Sequence, residues 1–565
     1  MLSLTLSLLA VAASASARSP YDIPKSEWDT LNSTVGGRLA FGVPFARSCF
    51  QDVGPNVTTG GPDCATVQAN YGVNTFRVNQ FGSMMRTQWE TCQKTNQGCL
   101  IDSDNPQDSA AFSPPKVCHQ GSIAPYYISV KEPNDVTQAF AFSNRTGVPL
   151  SIKNTGHDFA GKSSGPGTLA LWTRNMQDIK YDASFVPDGC SIPGTPAVTN
   201  GAGVDLEAIY NFAEANKITF VGGSAKTVGV TGWLLGGGHS VLSNSYGLGV
   251  DRVLQFKVVT PDGQYRTANA CQNQDLFWAL RGGGGGTFGV VMEITSEVIP
   301  NPLSIVSLQW NFDPQLLNVT TLFGVAVNSS LQWVQDGWGG YIVATTSILA
   351  NPKLNAAEAA ANLKPLTDYL KASGAQFEWK QYESFWPLFD AIQAVPVPVG
   401  VNGAVSSRLV PKSCFSNILS RSILFPAILS TVVAASGQAA LFMTTPFNYA
   451  AKAGATSVTP VWREAVWHVV TTIHWDWDAS AARAKLGYTT ASAAVTPLRA
   501  LTLGGGAYLN EADTYEPSWE NSFWGESNYK QLLATKKKYD PDSLLDCWHC
   551  VGSKGKSSQT ESCYY

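Results

Sequence analysis

The chain has 565 residues, a net charge of −4, charged residues at 14% and aromatics at 11%. That balance describes a globular protein with a large core, low in the basic clusters that nucleic acid requires, and it argues against binding to nucleic acid or an anionic membrane surface. Length alone suggests about two to four domains.

Residues 1–13 form an apolar run too short to span a bilayer, and Ala15, Ser16 and Ala17 supply the small residues of a cleavage site. Residues 1–17 are therefore expected to be a signal peptide and the mature chain to be secreted. Acceptor motifs at Asn32, Asn56, Asn144, Asn318 and Asn328 fit export, as do the 11 cysteines. Eleven is odd, so at least one thiol is unpaired or bonded elsewhere. Cys92 with Cys99 and Cys547 with Cys550 are spaced for short-loop disulfides, although spacing alone does not settle pairing. Paired CxxC knuckles are lacking, and no metal site is expected.

Residues 18–121 are cysteine-rich and turn-rich and are expected to form a collar packed on the rest of the chain. From 122 the texture changes. A strand at 126–130, a helix at 134–143 capped by Asn134 or Asp135, and a strand at 149–152 give the β-α-β order of a parallel pair.

The second strand breaks into a glycine-rich loop carrying His157. Residues 156–163 spell G-x-x-x-x-G-K-S, the phosphate loop of triphosphatases, and 161–165 spell G-x-S-x-G, the nucleophile elbow of hydrolases. Both need a helix after the loop. Gly165, Pro166 and Gly167 forbid one, and a strand-like run continues to Trp172, so both matches are coincidences of pattern. What remains is a tight turn with a surface histidine, or a flavin loop with His157 aimed at the cofactor.

Further on, a strand at 197–203 is followed by an amphipathic helix at 205–215 and an apolar run at 218–222. Glycines crowd the apolar segment 227–240, which argues for backbone brought against a ligand, since each costs stability where an ordinary residue would serve. A strand from 253 ends in a Pro-Asp-Gly turn, 275–281 reads as a short helix, and a glycine run at 282–289 leads into a strand at 290–295. Gly284, Gly286 and Gly289 satisfy G-x-G-x-x-G. The residues after them are β-branched where a dinucleotide fold needs a helix, which disfavours a nicotinamide site.

Residues 303–500 mix strands with apolar helices such as 354–370 and are expected to form a separate substrate-covering domain. The closing stretch, 501–565, carries a helix at 529–539 and dense aromatics that suit a pocket wall.

Several motifs recur in order. They are VKEPNDV at 130–136, Gly156-His157-Asp158 with Gly161, GGGH at 236–239, YGLGVD at 246–251, DLFWALRGG at 275–283, Tyr508 with Asn510, and YDP at 539–541. Together they resemble the berberine bridge enzyme-like FAD-linked oxidoreductases of the vanillyl-alcohol oxidase / p-cresol methylhydroxylase (VAO/PCMH) superfamily. Close-looking fungal members are called isoamyl alcohol oxidases. The resemblance covers about 122–302 and 500–552.

It implies an α+β fold. A two-part FAD-binding domain of PCMH/VAO type is made from 122–302 and 501–565, with an α+β substrate domain at 303–500. It implies FAD attached covalently through His157. Asn154, Thr155, Gly156, Asp158, Gly161, Val228, Gly229, Gly236, Gly237, Gly238, His239 and Asp251 would surround the cofactor, and backbone NH groups of 154–165 would approach the pyrophosphate.

Some members attach FAD a second time through a cysteine just before a Thr-Val-Gly-like run. Here that run is Thr227, Val228 and Gly229, and Ala225 or Ser224 takes the cysteine's place, so a single attachment is expected. Val228 matches the small gatekeeper that goes with O2 reactivity.

Tyr508 is implied as proton acceptor or substrate-orienting hydroxyl, with Asn510 as its partner. His468, His474 and His549, with Arg408 and Arg463 as cationic helpers, are further candidates; Asp251 and Arg281 are read as pins for FAD loops. The implied activity is hydride transfer from an alcohol carbon to flavin, with O2 giving hydrogen peroxide. Alternatives on the same scaffold are carbohydrate oxidation, oxidative cyclisation of a secondary metabolite, or a non-catalytic flavoprotein. The expected partners are a small-molecule substrate and O2, with no nucleic acid and no membrane, and the chain is expected to be a monomer.

Overall fold

The computed structural model describes residues 18–343, 346–393 and 398–565; the expected signal peptide lies outside them. Strands Leu39–Phe41, Tyr126–Ser129, Leu169–Trp172 and Leu150–Lys153 form one sheet in that spatial order. The strands on either side of the expected β-α-β helix are parallel, but they are not neighbours. Leu169–Trp172, buried along its whole length, lies between them and pairs with both. A run of four apolar residues with no polar face fits a central strand of a parallel sheet.

The helix of that unit spans Pro133–Thr146 and starts one residue before the expected cap. Proline suits the first helical position because it has no NH to lose there. The cap therefore falls on Glu132, and Asp135 closes a capping box at the third position. Arg38 pairs with Asp135 at 2.6 Å and so ties the collar to the helix start.

A second, antiparallel sheet runs Tyr265–Asn269, Val253–Val259, Val290–Glu297, Thr195–Gly201 and Ile179–Phe185. Helix Leu206–Ala215 packs on it with Leu206, Ile209, Tyr210 and Ala213 buried, and Asp205 caps it by accepting from the Ala208 NH. The C-terminal stretch enters this same core: Ala507, Leu509, Phe523, Trp524, Leu532 and Tyr539 pack with Leu206, Phe256 and Phe277. Removing a side chain such as Trp524, which is fully buried, costs about 3–5 kcal/mol. Distant segments of the sequence thus depend on each other for stability.

The third sheet takes seven strands from the middle of the chain, in the order Phe377–Tyr382, Ile305–Asn311, Thr346–Asn351, Gly339–Ile342, Ala439–Met443, Ala465–Trp475 and Asn402–Pro411. The helix expected at 354–370 is two, Ala356–Asn362 and Lys364–Ala372, because Pro365 cannot continue the first turn ladder and starts a second helix instead.

The collar is stapled by Cys49–Cys64 and Cys99–Cys118, while Cys92 bonds Cys563 across 471 residues. The expected Cys92–Cys99 loop is therefore corrected: both thiols have partners brought in by the tertiary fold. Cys547–Cys550 forms as spaced, Cys190 pairs with Cys271, and Cys414 is the odd thiol. Among the described residues no helix is long and apolar enough to cross a membrane.

Candidate active site

A cleft enclosing about 1400 Å³, open mouth included, runs between the first two sheets and the C-terminal stretch. One wall is the loop after strand Leu150–Lys153, another the segment 223–239, and a third the residues 508–511.

The first wall is anchored from below by Lys153. Its buried ammonium donates to the carbonyls of Gln80, Phe81 and Ser83, so all three NH groups are used and the collar is clamped under the loop. Gly156, at φ +85°, turns the chain, and its carbonyl accepts the Met85 NH at 3.1 Å. Gly161, at φ +75°, lies against Trp89; a Cβ there would sit 2.2 Å from the ring.

Asp158 organises the rest of this loop by accepting the NH groups of Ala160, Gly161 and Ser163. The sequence suggested that backbone NH groups in this stretch approach a pyrophosphate. These three are instead consumed by the chain's own carboxylate, which fills the anion nest from within. No helix follows the loop; the chain turns directly into Leu169–Trp172.

His157 stands on this wall, half-buried, with Nε2 2.7 Å from Thr227 Oγ1. Burial, reinforced by the Arg86 guanidinium, pushes its pKa down to about 3, so the ring is neutral at any ordinary pH. Arg86 is itself buried and lies over the Phe159 ring at 5.4 Å.

The second wall begins with Thr227, Val228 and Gly229 and continues into helix Val230–Leu235. Gly229 packs on Asn154, where a Cβ would stand 2.6 Å from the amide nitrogen. Gly232 is different. A Cβ there meets nothing within 4 Å, so no protein atom demands glycine, although glycine in a helix costs about 1 kcal/mol relative to alanine. The space it leaves belongs to the cleft. Gly285 behaves likewise, its nearest contact being Leu235 at 3.8 Å.

Asn154 Oδ1 and Ser163 Oγ, both on the wall, are buried with no partner among the described residues. Open glycine faces and unsatisfied polar atoms are the marks of backbone shaped around a polar, flat ligand, and FAD fits these residues.

The third wall carries the expected pair. Asn510 donates to the Tyr508 hydroxyl at 2.9 Å, which also accepts the Gly238 NH at 3.3 Å. Burial and the nearby Glu511 carboxylate push the Tyr508 phenol far above its ordinary range, away from proton acceptance.

Beside it stands an arrangement the sequence did not disclose. Glu511 accepts Nε2–H of His239 on one oxygen at 3.1 Å and Nε2–H of His468 on the other at 2.8 Å. His239 packs edge-on against Tyr508, with centroids 5.2 Å apart. Burial opposes the Glu511 charge, but the two imidazoles overcome it and hold the carboxyl far below its usual range.

Of the cofactor residues named from the sequence, Asn154, Thr155, Gly156, His157, Asp158, Val228, Gly229 and His239 line the cleft. Gly161, Gly236, Gly237, Gly238 and Asp251 stand behind it. Gly236 backs Asn510, Gly238 backs Trp233, and Asp251 pairs with Arg463 at 2.6 Å. The other candidate helpers lie outside the lining. His474 faces the Asn402 carbonyl, His549 stacks between Trp519 and Trp548, Arg408 is held by Thr502, and Arg281 reaches the Ala455 carbonyl.

Comparison with known proteins agrees with this geometry. Residues 124–269 match the FAD binding domain family and 507–547 the family described as berberine and berberine like. The FAD-linked oxidoreductase ffsJ of Aspergillus flavipes is 37% identical over 98% of this chain and 96% of its own. The VAO-type flavoprotein oxidase VAO615 of Thermothelomyces thermophilus is 32% identical over 94% and 91%. Among solved structures, the VAO-type flavoprotein MtVAO615 from Myceliophthora thermophila C1 superposes with a TM-score of 0.81 at 29% identity, covering 96% of this chain and 98% of that one. The glucooligosaccharide oxidase of Acremonium strictum, described with a 6-S-cysteinyl, 8α-N1-histidyl FAD, shares the fold at a TM-score of 0.61 and 20% identity, over 75% of this chain and 91% of that one. The chain belongs to the FAD-linked oxidoreductases of the VAO and berberine bridge enzyme-like family, with an FAD-binding domain and a substrate domain.

Proposed function

We infer that the protein is an exported oxidase that removes a hydride from an alcohol carbon, with FAD bound covalently through His157 alone and O2 as electron acceptor. The observation that carries this is the position of His157, on the wall of a glycine-lined cleft with Nε2 2.7 Å from Thr227 Oγ1. A neutral ring nitrogen is a nucleophile and an imidazolium is not, so burial and Arg86 keep the form that bonding to the flavin 8α-methyl requires. With Nε2 engaged, Nδ1 is the nitrogen left for the link.

Ser224 and Ala225 both line the cleft, and neither offers a thiol for a second bond. Bound flavin supplies the hydride acceptor and passes the electrons on to O2. Val228 on the wall is compatible with O2 reaching it. Tyr508, Asn510 and Glu511 present the polar groups that orient a substrate hydroxyl. Five disulfides support export through an oxidising compartment. A monomer acting on a small molecule, without nucleic acid or membrane, completes the proposal.

Purified protein should be yellow, keep its colour in the pellet after acid precipitation, and release hydrogen peroxide with at least one member of a panel of primary and secondary alcohols. A colourless protein contradicts the cofactor, and a yellow one that forms peroxide only with sugars contradicts the substrate class.

A further inference from the structure

Glu511, His239 and His468 come from three separate places: the C-terminal stretch, the glycine-rich segment after helix Val230–Leu235, and strand Ala465–Trp475. Their ligand atoms lie within 4.8 Å of one another. Two histidines and a carboxylate at such a distance raise the question of a metal, and the geometry answers it. The separations of 3.1 and 2.8 Å are closed hydrogen bonds. Histidines that bind metal also hand their second ring nitrogen to a carboxylate or carbonyl. Among the described residues neither Nδ1 meets a carboxylate or carbonyl that would back the ring as a metal ligand.

The same facts describe a proton acceptor. An ionised carboxylate has about four lone-pair sites, two on each oxygen. The imidazoles take one on each, which leaves the second site of each oxygen for another donor. Glu511 lines the cleft, and its side chain is 21% exposed, whereas His468 is fully enclosed. The groups that face the carboxylate are His239, His468, Tyr508 and Tyr341. Both tyrosines are driven upward by burial, so neither competes for the proton.

We propose that Glu511 is the catalytic base of the oxidation: it accepts the hydrogen bond of the substrate hydroxyl and takes its proton, while His239 and His468 position the carboxylate. The assignment rests on the oxidase function above. The O–H bond breaks and its proton goes to the carboxylate; the C–H electron pair leaves with its hydrogen as hydride to the flavin, and the carbonyl double bond forms. A base held well below its ordinary range suffices, because an alcohol oxygen becomes far more acidic as the hydride departs.

The test compares anaerobic flavin reduction by 3-methylbutan-1-ol, benzyl alcohol and a sugar control in wild type, Glu511→Gln, Tyr508→Phe, His239→Asn and His468→Asn. The assignment expects Glu511→Gln to keep its flavin content yet lose about 10²–10⁴-fold in reduction rate, the usual contribution of a general base. Tyr508→Phe should lose no more than about tenfold. The histidine variants should retain a base but move the acid limb of kcat/KM up toward the ordinary carboxylate value of about 4.3, which a merely structural role leaves in place. Equal rates in wild type and Glu511→Gln, or a larger loss in Tyr508→Phe, overturn the assignment. A wild-type flavin that no alcohol reduces overturns the function on which it rests, and the base with it.

Discussion

His157 Nε2 and Thr227 Oγ1 are 2.7 Å apart, although 70 residues separate them in the chain. The bond joins two walls of the cleft and fixes which ring nitrogen faces the other way. Thr227→Val keeps the shape and removes the hydroxyl. It should cost about 1 kcal/mol of positioning and, by letting the ring turn, leave several-fold more FAD extractable by acid than in wild type. Complete attachment in the variant shows that Thr227 is only packing.

Gly232 yields a prediction with two signs. Gly232→Ala should stabilise the flavin-free protein by about 0.5–1 kcal/mol through helix propensity, because its Cβ meets no protein atom within 4 Å. The same methyl intrudes on the cleft, so flavin content should fall. A variant that is stabilised and fully loaded contradicts the view that this face is kept clear for the cofactor.

Lys153 is buried against three carbonyls of the collar. Lys153→Met preserves length and leaves those acceptors unsatisfied, at about 1–3 kcal/mol for each group that water cannot reach. Thermal unfolding should show a loss of several degrees, and proteolysis should open the collar near residues 80–85 first. An unchanged melting temperature contradicts the clamp.

The collar also illustrates what sequence patterns convey and what they do not. Strand Val253–Val259, helix Leu206–Ala215 with its Asp205 cap, and helix Glu526–Tyr539 follow from local periodicity and capping chemistry, and they lie close to where the residues place them. The absence of a helix after the His157 loop was equally legible, because glycine and proline act on their own neighbours. Partners chosen by tertiary folding were not. Cys92 finds Cys563, and Leu169–Trp172 slips between two strands that local order would pair.

Glu511 sits one residue past a recognised motif and looks like an ordinary surface acid until His239, 272 residues away, and His468, 43 residues away, close on it. Asp158 similarly reads as a cofactor contact, and only the folded loop reveals that it takes three backbone NH groups for itself.

The Glu511 cluster also sets a pH dependence of stability. Glu511 and His468 are both held below their ordinary values when folded, Glu511 by the imidazoles and His468 by burial. The unfolded chain therefore binds more protons than the folded one, so stability rises with pH. The histidine contribution is present above about pH 6.5 and fades below it; the carboxylate contribution is present above about 4.3 and fades as pH falls further. Melting temperature should drop steadily from pH 7.5 to 4, and between pH 5 and 4 the drop should be shallower in Glu511→Gln. A flat or rising profile in wild type contradicts the assigned charge states.

The imidazole at 157 carries both the cofactor and the chemistry assigned to the cleft. His157→Ala and wild-type protein, prepared side by side, should be denatured in acid and separated from free flavin before measuring flavin absorbance and intact mass. Wild type should retain yellow colour and a mass raised by that of one FAD, while the variant should release all its flavin to the supernatant. Acid-stable flavin in His157→Ala, or a wild-type chain with no added mass, contradicts covalent attachment at this residue.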